Sequence, residues 1–146
     1  MYPFQHPTDE QIKDYLATSK TIAVVGLSDR DDAVSKRVSK FMQDMGYRII
    51  PVNPRLATGE ILGEKVYASL SDIPLAVDIV NVFRKSDYLA DVAREFVTTD
   101  ARIFWAQLGL QSQEAAEILQ AAGREDVVMD RCIKREYVRL MADVVN

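Results

Sequence analysis

Gly26-Leu27-Ser28-Asp29-Arg30, followed shortly by Ser35-Lys36-Arg37, is the first place along the chain where residue types and spacing suit chemistry. A glycine at the end of an apolar run lets backbone approach a bound phosphate. The free amides of a helix start favour an anion as well. Ser28 and Ser35 offer hydroxyl donors, while Arg30, Lys36 and Arg37 offer positive charge. The dinucleotide fingerprint G-x-G-x-x-G is incomplete because Gly26 stands alone. A tight turn before a solvated helix therefore explains the same residues equally well.

A second candidate is Val52-Asn53-Pro54-Arg55. Sheets that bind NAD place a carboxylate here for the ribose hydroxyls. Arg55 instead suits a phosphorylated ribose, as in NADP or the 3'-phosphate of coenzyme A; the competing reading is a turn with a solvated arginine. The third apolar run closes on Asn81-Val82-Phe83-Arg84-Lys85, where an aromatic beside cations suits an adenine or a phosphate. A phenylalanine that closes the core is the commoner outcome. The fourth closes on Trp105-Ala106-Gln107-Leu108-Gly109, whose glutamine amide and close glycine backbone suit ligand contacts, with Trp105 read as core.

Asp130-Arg131-Cys132-Ile133-Lys134 follows the fifth run. A thiol near a helix start with basic neighbours is reactive in some settings. Beside the end of a thiol-bearing ligand it could be joined to that ligand as a mixed disulfide. The blander reading is a small, partly buried side chain. Cys132 and His6 are the sole residues of their types, which excludes an internal disulfide or a multi-cysteine metal site and argues against structural zinc. No paired acid and base can be recognised around these positions.

The candidate stretches need a scaffold that brings them to one edge, and the apolar pattern supplies it. Thr8 and Gln11 have the capping-box spacing. Ile12, Tyr15 and Leu16 then share one face, so a leading helix occupies the end of segment 1–19. Runs at 21–26, 48–52, 77–83, 102–105 and 127–129 read as strands, with Pro51 near the end of the second. Helices separate them: one has Val34, Val38, Phe41, Met42 and Met45 on one side and stops at Gly46, and another is marked by Tyr88, Val92, Ala93 and Phe96. Further helices span about 113–122 and 132–141, and Leu70 to Ile73 suggests one helical turn. Such alternation forces parallel strands with right-handed crossovers. The expected fold is α/β, a three-layer, Rossmann-like, doubly wound parallel sheet of five strands in the order 3-2-1-4-5, forming one domain over 1–146. Its ligand belongs beyond the carboxyl ends of the strands, where the order reverses.

At these strand ends the sequence resembles the small bacterial and archaeal coenzyme A-binding proteins. Those are stand-alone relatives of the coenzyme A-binding domain of succinyl-CoA synthetase alpha subunits. The matching stretches are 22–28, 35–38, 46–54, 77–84, 105–109 and 128–134, an ordered set from about Lys20 to Leu140. The resemblance implies that Gly26, Leu27 and Ser28 approach the coenzyme's pyrophosphate, with Ser35 and Arg37 nearby. It puts Asn53, Pro54 and Arg55 by the adenosine end, Val82, Phe83 and Arg84 along the adenine pocket, and Gln107 and Gly109 on the ligand from strand four. The loop Asp29-Arg30-Asp31-Asp32-Ala33 departs from the family pattern in being acidic, and its carboxylates must point outward if a phosphate is to bind. The synthetase passes phosphate through a histidine in a further domain, and His6 does not occupy a matching position.

With 48% hydrophobic and 27% charged residues and a net charge of -4, the chain has a globular composition and no basic field for nucleic acid or anionic membrane. The start of the chain lacks the pattern of a signal peptide, and no apolar run approaches the roughly 20 residues that span a bilayer, so the cytoplasm is the expected location. The leading expectation is a module that binds coenzyme A or a short acyl-CoA, a small-molecule nucleotide ligand, without a self-contained catalytic apparatus. The alternatives are an NADP-dependent or CoA-linked enzyme and a nucleotide-sensing regulator that acts through a protein partner. Tyr137, Val138 and Leu140 on the last helix pack either internally or across a homodimer interface.

Overall fold

Uninterrupted apolar runs become the strands of a parallel sheet because only a strand covered on both faces can hide all its side chains. The computed structural model describes residues 4–145. Its strands are β1 (Thr21–Val25), β2 (Arg48–Val52), a short pair β3 (Glu60–Ile61) and β4 (Glu64–Lys65), then β5 (Ile79–Val82), β6 (Ile103–Ala106) and β7 (Val127–Val128). The helices are α1 (Asp9–Thr18), α2 (Val34–Asp44), α3 (Leu89–Phe96), α4 (Gln113–Ala121) and α5 (Ile133–Val145).

Alternation along each strand sorts the side chains into two layers. Ile22 and Val24 of β1 pack with Ile12 and Leu16 of α1, Val38 and Met42 of α2, and Ile133 of α5. Ala23 and Val25 pack on the other face with Val92 and Phe96 of α3 and Ala115 and Leu119 of α4. This is the expected three-layer, Rossmann-like arrangement. On α2 the sheet-facing side is Ser35, Val38, Ser39 and Met42. Val34 and Met45, expected on that side, are 57% and 41% exposed, because they stand at the helix ends beyond the sheet's cover.

The five main strands are parallel and stand in the order β2-β1-β5-β6-β7. Counted along the chain this is 2-1-3-4-5, which corrects the expected 3-2-1-4-5. The reason lies after β2, whose outer edge is already taken by a single parallel bridge to Tyr67. The Tyr67 N–H donates to the Pro51 carbonyl and the Asn53 N–H donates to the Tyr67 carbonyl, both at 2.9 Å. A remnant strand thus fills the place outside β2, and β5 crosses to the far side of β1. Pro51 is tolerated because its missing N–H faces this sparse edge and not β1.

Between those points β3 and β4 form a hairpin whose turn residues, Leu62 and Gly63, both have positive φ. Gln43 of α2 anchors it by donating to the Leu62 carbonyl at 2.9 Å. At the sheet's amino edge, Asp78 accepts from the amides of Lys20 and Thr21 at 2.7 and 3.1 Å and from Arg102 at 3.3 Å. Burial pushes this carboxyl up, but the two amides and the guanidinium outweigh it and hold the group below the usual carboxylate range.

The leading helix forms as its sequence suggests. Thr8 and Gln11 make both bonds of the capping box, and Ile12, Tyr15 and Leu16 are buried. Tyr47 donates to the Leu16 carbonyl at 2.6 Å, and Arg139 of α5 bonds Asp9 at 2.8 Å through both terminal guanidinium nitrogens.

Candidate functional site

The chain leaves β1 through Gly26, whose φ is +88° and whose amide still donates to the Val52 carbonyl at 2.8 Å. A Cβ here would lie 2.6 Å from the Phe83 carbonyl oxygen, so the residue must be glycine for the ends of β1 and β5 to stay together. Leu27 is fully buried, and only its backbone borders the loop. The Ser28 amide donates to the buried Ser35 hydroxyl oxygen at 3.1 Å, and the Ser28 hydroxyl oxygen accepts from the Arg30 amide at 3.1 Å. These bonds fold the loop down onto the start of α2. That helix has Ala33 at its N-cap position and so no side-chain cap, and its first amides lack the partner that a serine or aspartate would supply.

The loop's acidic residues turn outward. Asp31 is 96% exposed and pairs with Lys36 at 2.7 Å, while Asp32 is 82% exposed and pairs with Arg30 at 3.2 Å. The Lys36 hydrogen bond and charge hold the Asp31 carboxyl below its ordinary range. Arg30 and Lys36 are thereby occupied. Arg37 has no carboxylate partner among the described residues and opens on a recess of about 310 Å³ shared with Asp31, Lys36, Lys40 and Leu62.

At the end of β2, Asn53 is a clamp. Its amide nitrogen donates to the Leu27 carbonyl at 3.0 Å, and its side-chain oxygen accepts from the Arg55 amide at 3.0 Å. The first bond ties β2 to the β1 loop, and the second starts a single helical turn over Pro54–Leu56. Pro54 and Arg55 are exposed.

Beyond the ends of β5 and β6 lies a cleft of about 420 Å³, lined by Phe83, Arg84, Lys85, Gln107, Leu108, Leu110, Val34, Cys132 and Arg135. It therefore joins the start of α2, the β5 and β6 ends and the start of α5. Arg84 lies 4.6 Å from the centre of the Tyr88 ring. Gln107 is 4% exposed, and its oxygen accepts from the Ile133 amide at 3.0 Å, capping α5. Val82, fully buried, belongs to the α3–α4 layer and not to the cleft. Gly109 stands outside it too. With φ +85°, its amide donates to Asp130 at 2.7 Å, which fixes the β6 and β7 ends to each other. Trp105 is core, fully buried, and donates to the Arg131 carbonyl at 2.8 Å.

The cleft thus brings together Phe83, Arg84 and Gln107 of the expected residues. Gly26, Leu27 and Ser28 form the adjoining loop, and Ser35 of α2 is bonded to it. Sequence reasoning did not single out Val34, Leu110 or Arg135. Arg135 had a signal, since Cys132 and Arg135 are three apart at a helix start and share a face. Larger clefts, of about 600 Å³ beside α1 and about 500 Å³ between 70–77 and 98–101, lie towards the amino edge of the sheet. Parallel sheets bind ligands at the opposite edge, where β1 sends the chain first to β2 and later to β5. No group of three or more metal-ligating side chains occurs among the described residues, and no helix described is long and apolar enough to cross a membrane.

The family described as CoA binding domain matches residues 20–138. The Bacillus subtilis (strain 168) protein YneT is 55% identical over 130 residues, 89% of this chain and 94% of that protein. An acetate–CoA ligase (ADP-forming) of Methanocaldococcus jannaschii is 31% identical over 71 residues, 49% of this chain but only 10% of that enzyme. Among solved structures, cell-free ID.343 from Thermus thermophilus superposes with a TM-score of 0.87 at 36% identity, covering 92% of this chain and 99% of its own.

Proposed function

The chain belongs to the CoA-binding domain family, and we propose from that premise that it binds coenzyme A or a short acyl-CoA as a module with no catalytic apparatus of its own. The observation that supports this most is the continuity of two features at the carboxyl edge. An uncapped helix start folds against the Gly26–Ser28 loop, and Val34, its first residue, is also a wall of the apolar cleft. A pyrophosphate suits the first feature and a long, mostly apolar arm suits the second.

In this reading the adenosine and its 3'-phosphate extend towards Asn53, Pro54 and Arg55, on the β2 side. Arg55 has no ion-pair partner among the described residues, so its charge is free for a phosphate. The pantetheine arm runs the other way, under Phe83 and Arg84 towards Gln107. Phe83 and Arg84 then face the arm and not the adenine, because they share the cleft with Gln107. Leu27 contributes backbone alone, and Val82, Asn53 and Gly109 hold the walls in place.

Thermal unfolding with increasing coenzyme A tests the reading. A ligand that binds only the folded chain raises Tm progressively, with stabilisation of about 2.7 kcal/mol at a hundredfold excess over Kd. An unchanged Tm across that range contradicts the proposal. Val34 and Leu108, 57% and 52% exposed at the cleft's mouth, favour a second reading in which ligand occupancy changes a surface that a protein partner senses. Pull-down with and without coenzyme A separates the two readings, because only a sensor changes partners.

A further inference from the structure

Cys132 is a free, partly buried thiol that lines the same cleft as Gln107. Gln107 is 4% exposed and gives its side-chain oxygen to the Ile133 amide at 3.0 Å. Its amide NH2 has no protein partner among the described residues. The residue is almost wholly buried, yet this NH2 opens on the cleft, where it can donate to a ligand acceptor, and the pantetheine arm carries two amide carbonyls. Arg84, Lys85 and Arg135 border the same cleft, have no carboxylate partner among the described residues, and attract a polyanionic nucleotide.

We infer that Cys132 is a modification site at which the protein is reversibly joined to coenzyme A through a mixed disulfide. The inference rests on the reading that the pantetheine arm occupies this cleft. The arm ends in a thiol, and the α2 start and Arg55 fix the other end of the molecule, so the thiol is directed to the wall from which Cys132 projects. The substrate is coenzyme A disulfide. The Cys132 sulfur attacks one of its two sulfurs, the bond between the coenzymes breaks, and a bond between Cys132 and one coenzyme forms. The second coenzyme leaves as the thiol, taking up the proton that Cys132 gives up. The exchange needs no further oxidant, and a free thiol in excess reverses it.

The test follows adduct formation by intact mass on the reduced full-length protein, freed of reductant, with either coenzyme A disulfide or glutathione disulfide. The inference expects one coenzyme per chain, removed by dithiothreitol. It also expects a rate with coenzyme A disulfide at least about tenfold above that with glutathione disulfide, because binding orients the reacting sulfur. Saturating desulfo-coenzyme A, which lacks the thiol, should remove that advantage. Equal rates with the two disulfides, or no protection, would show an ordinary accessible thiol and overturn the inference. Calorimetry with coenzyme A in reductant reads the site separately. Binding without any adduct overturns the modification alone, whereas absence of binding overturns the coenzyme reading and the modification with it.

Discussion

Gly26 is glycine for two local reasons. Its φ of +88° is one that side chains disfavour, and a Cβ would sit 2.6 Å from the Phe83 carbonyl oxygen. That oxygen is backbone, so it cannot swing aside as a side chain would. Gly26→Ala should therefore destabilise the fold by about 2–3 kcal/mol and open the β1–β5 junction. Denaturant titration checks the first effect. The second appears as coenzyme A affinity that stays low under conditions where the variant is fully folded. Sequence alone drew attention to Gly26 as a phosphate contact, and that same residue proves to be a packing requirement of the next strand. Asn53 shows a related limit. Its residue type and position marked it as a ligand contact, but both ends of its amide are used inside the protein, a fact that only the juxtaposition of the β1 and β2 ends reveals.

At the scale of elements, α1 is held to the body by packing more than by charge. Leu16 is 1% exposed, whereas the Arg139–Asp9 pair is 49% and 65% exposed. Solvent screens such pairs to under about 1 kcal/mol, while truncating a buried leucine costs about 2–5 kcal/mol. Leu16→Ala should thus lower stability several times more than Asp9→Ala, as denaturant midpoints at constant slope would show; comparable losses would contradict this ranking. At the amino edge Asp78 ties β1 to β5 and β6. Its carboxyl titrates below the unfolded value of 3.8, so the unfolded chain takes up the proton first. The stability it supplies is complete above that value and is lost as pH falls through the folded value. Asp78→Asn should make the acid limb of the stability–pH curve shallower. Asp9 and Asp31, lowered by Arg139 and Lys36 in the same sense, keep some slope in place. The helix starts with local signals, such as Thr8 with Gln11, were legible. The β3–β4 hairpin was not, because two-residue strands leave no period to read.

At the scale of the whole molecule, topology decides where function can sit. The carboxyl edge was legible because four of the five apolar runs end in glycine, asparagine, glutamine or cations. The strand order was not, because the bridge at Tyr67 occupies the β2 edge with one residue and has no strand-like pattern. The correction leaves the switch point beside β1, where the Gly26 loop, the α2 start and the cleft meet. The central claim is that this edge binds coenzyme A and reads its 3'-phosphate. Calorimetric titration of the purified protein with coenzyme A, dephospho-coenzyme A and NADP at one fixed salt concentration tests it most directly. The account predicts saturable binding of coenzyme A, weakened about tenfold without the 3'-phosphate, with Arg55→Ala abolishing that difference. Binding of NADP alone, or of none of the three, would contradict it.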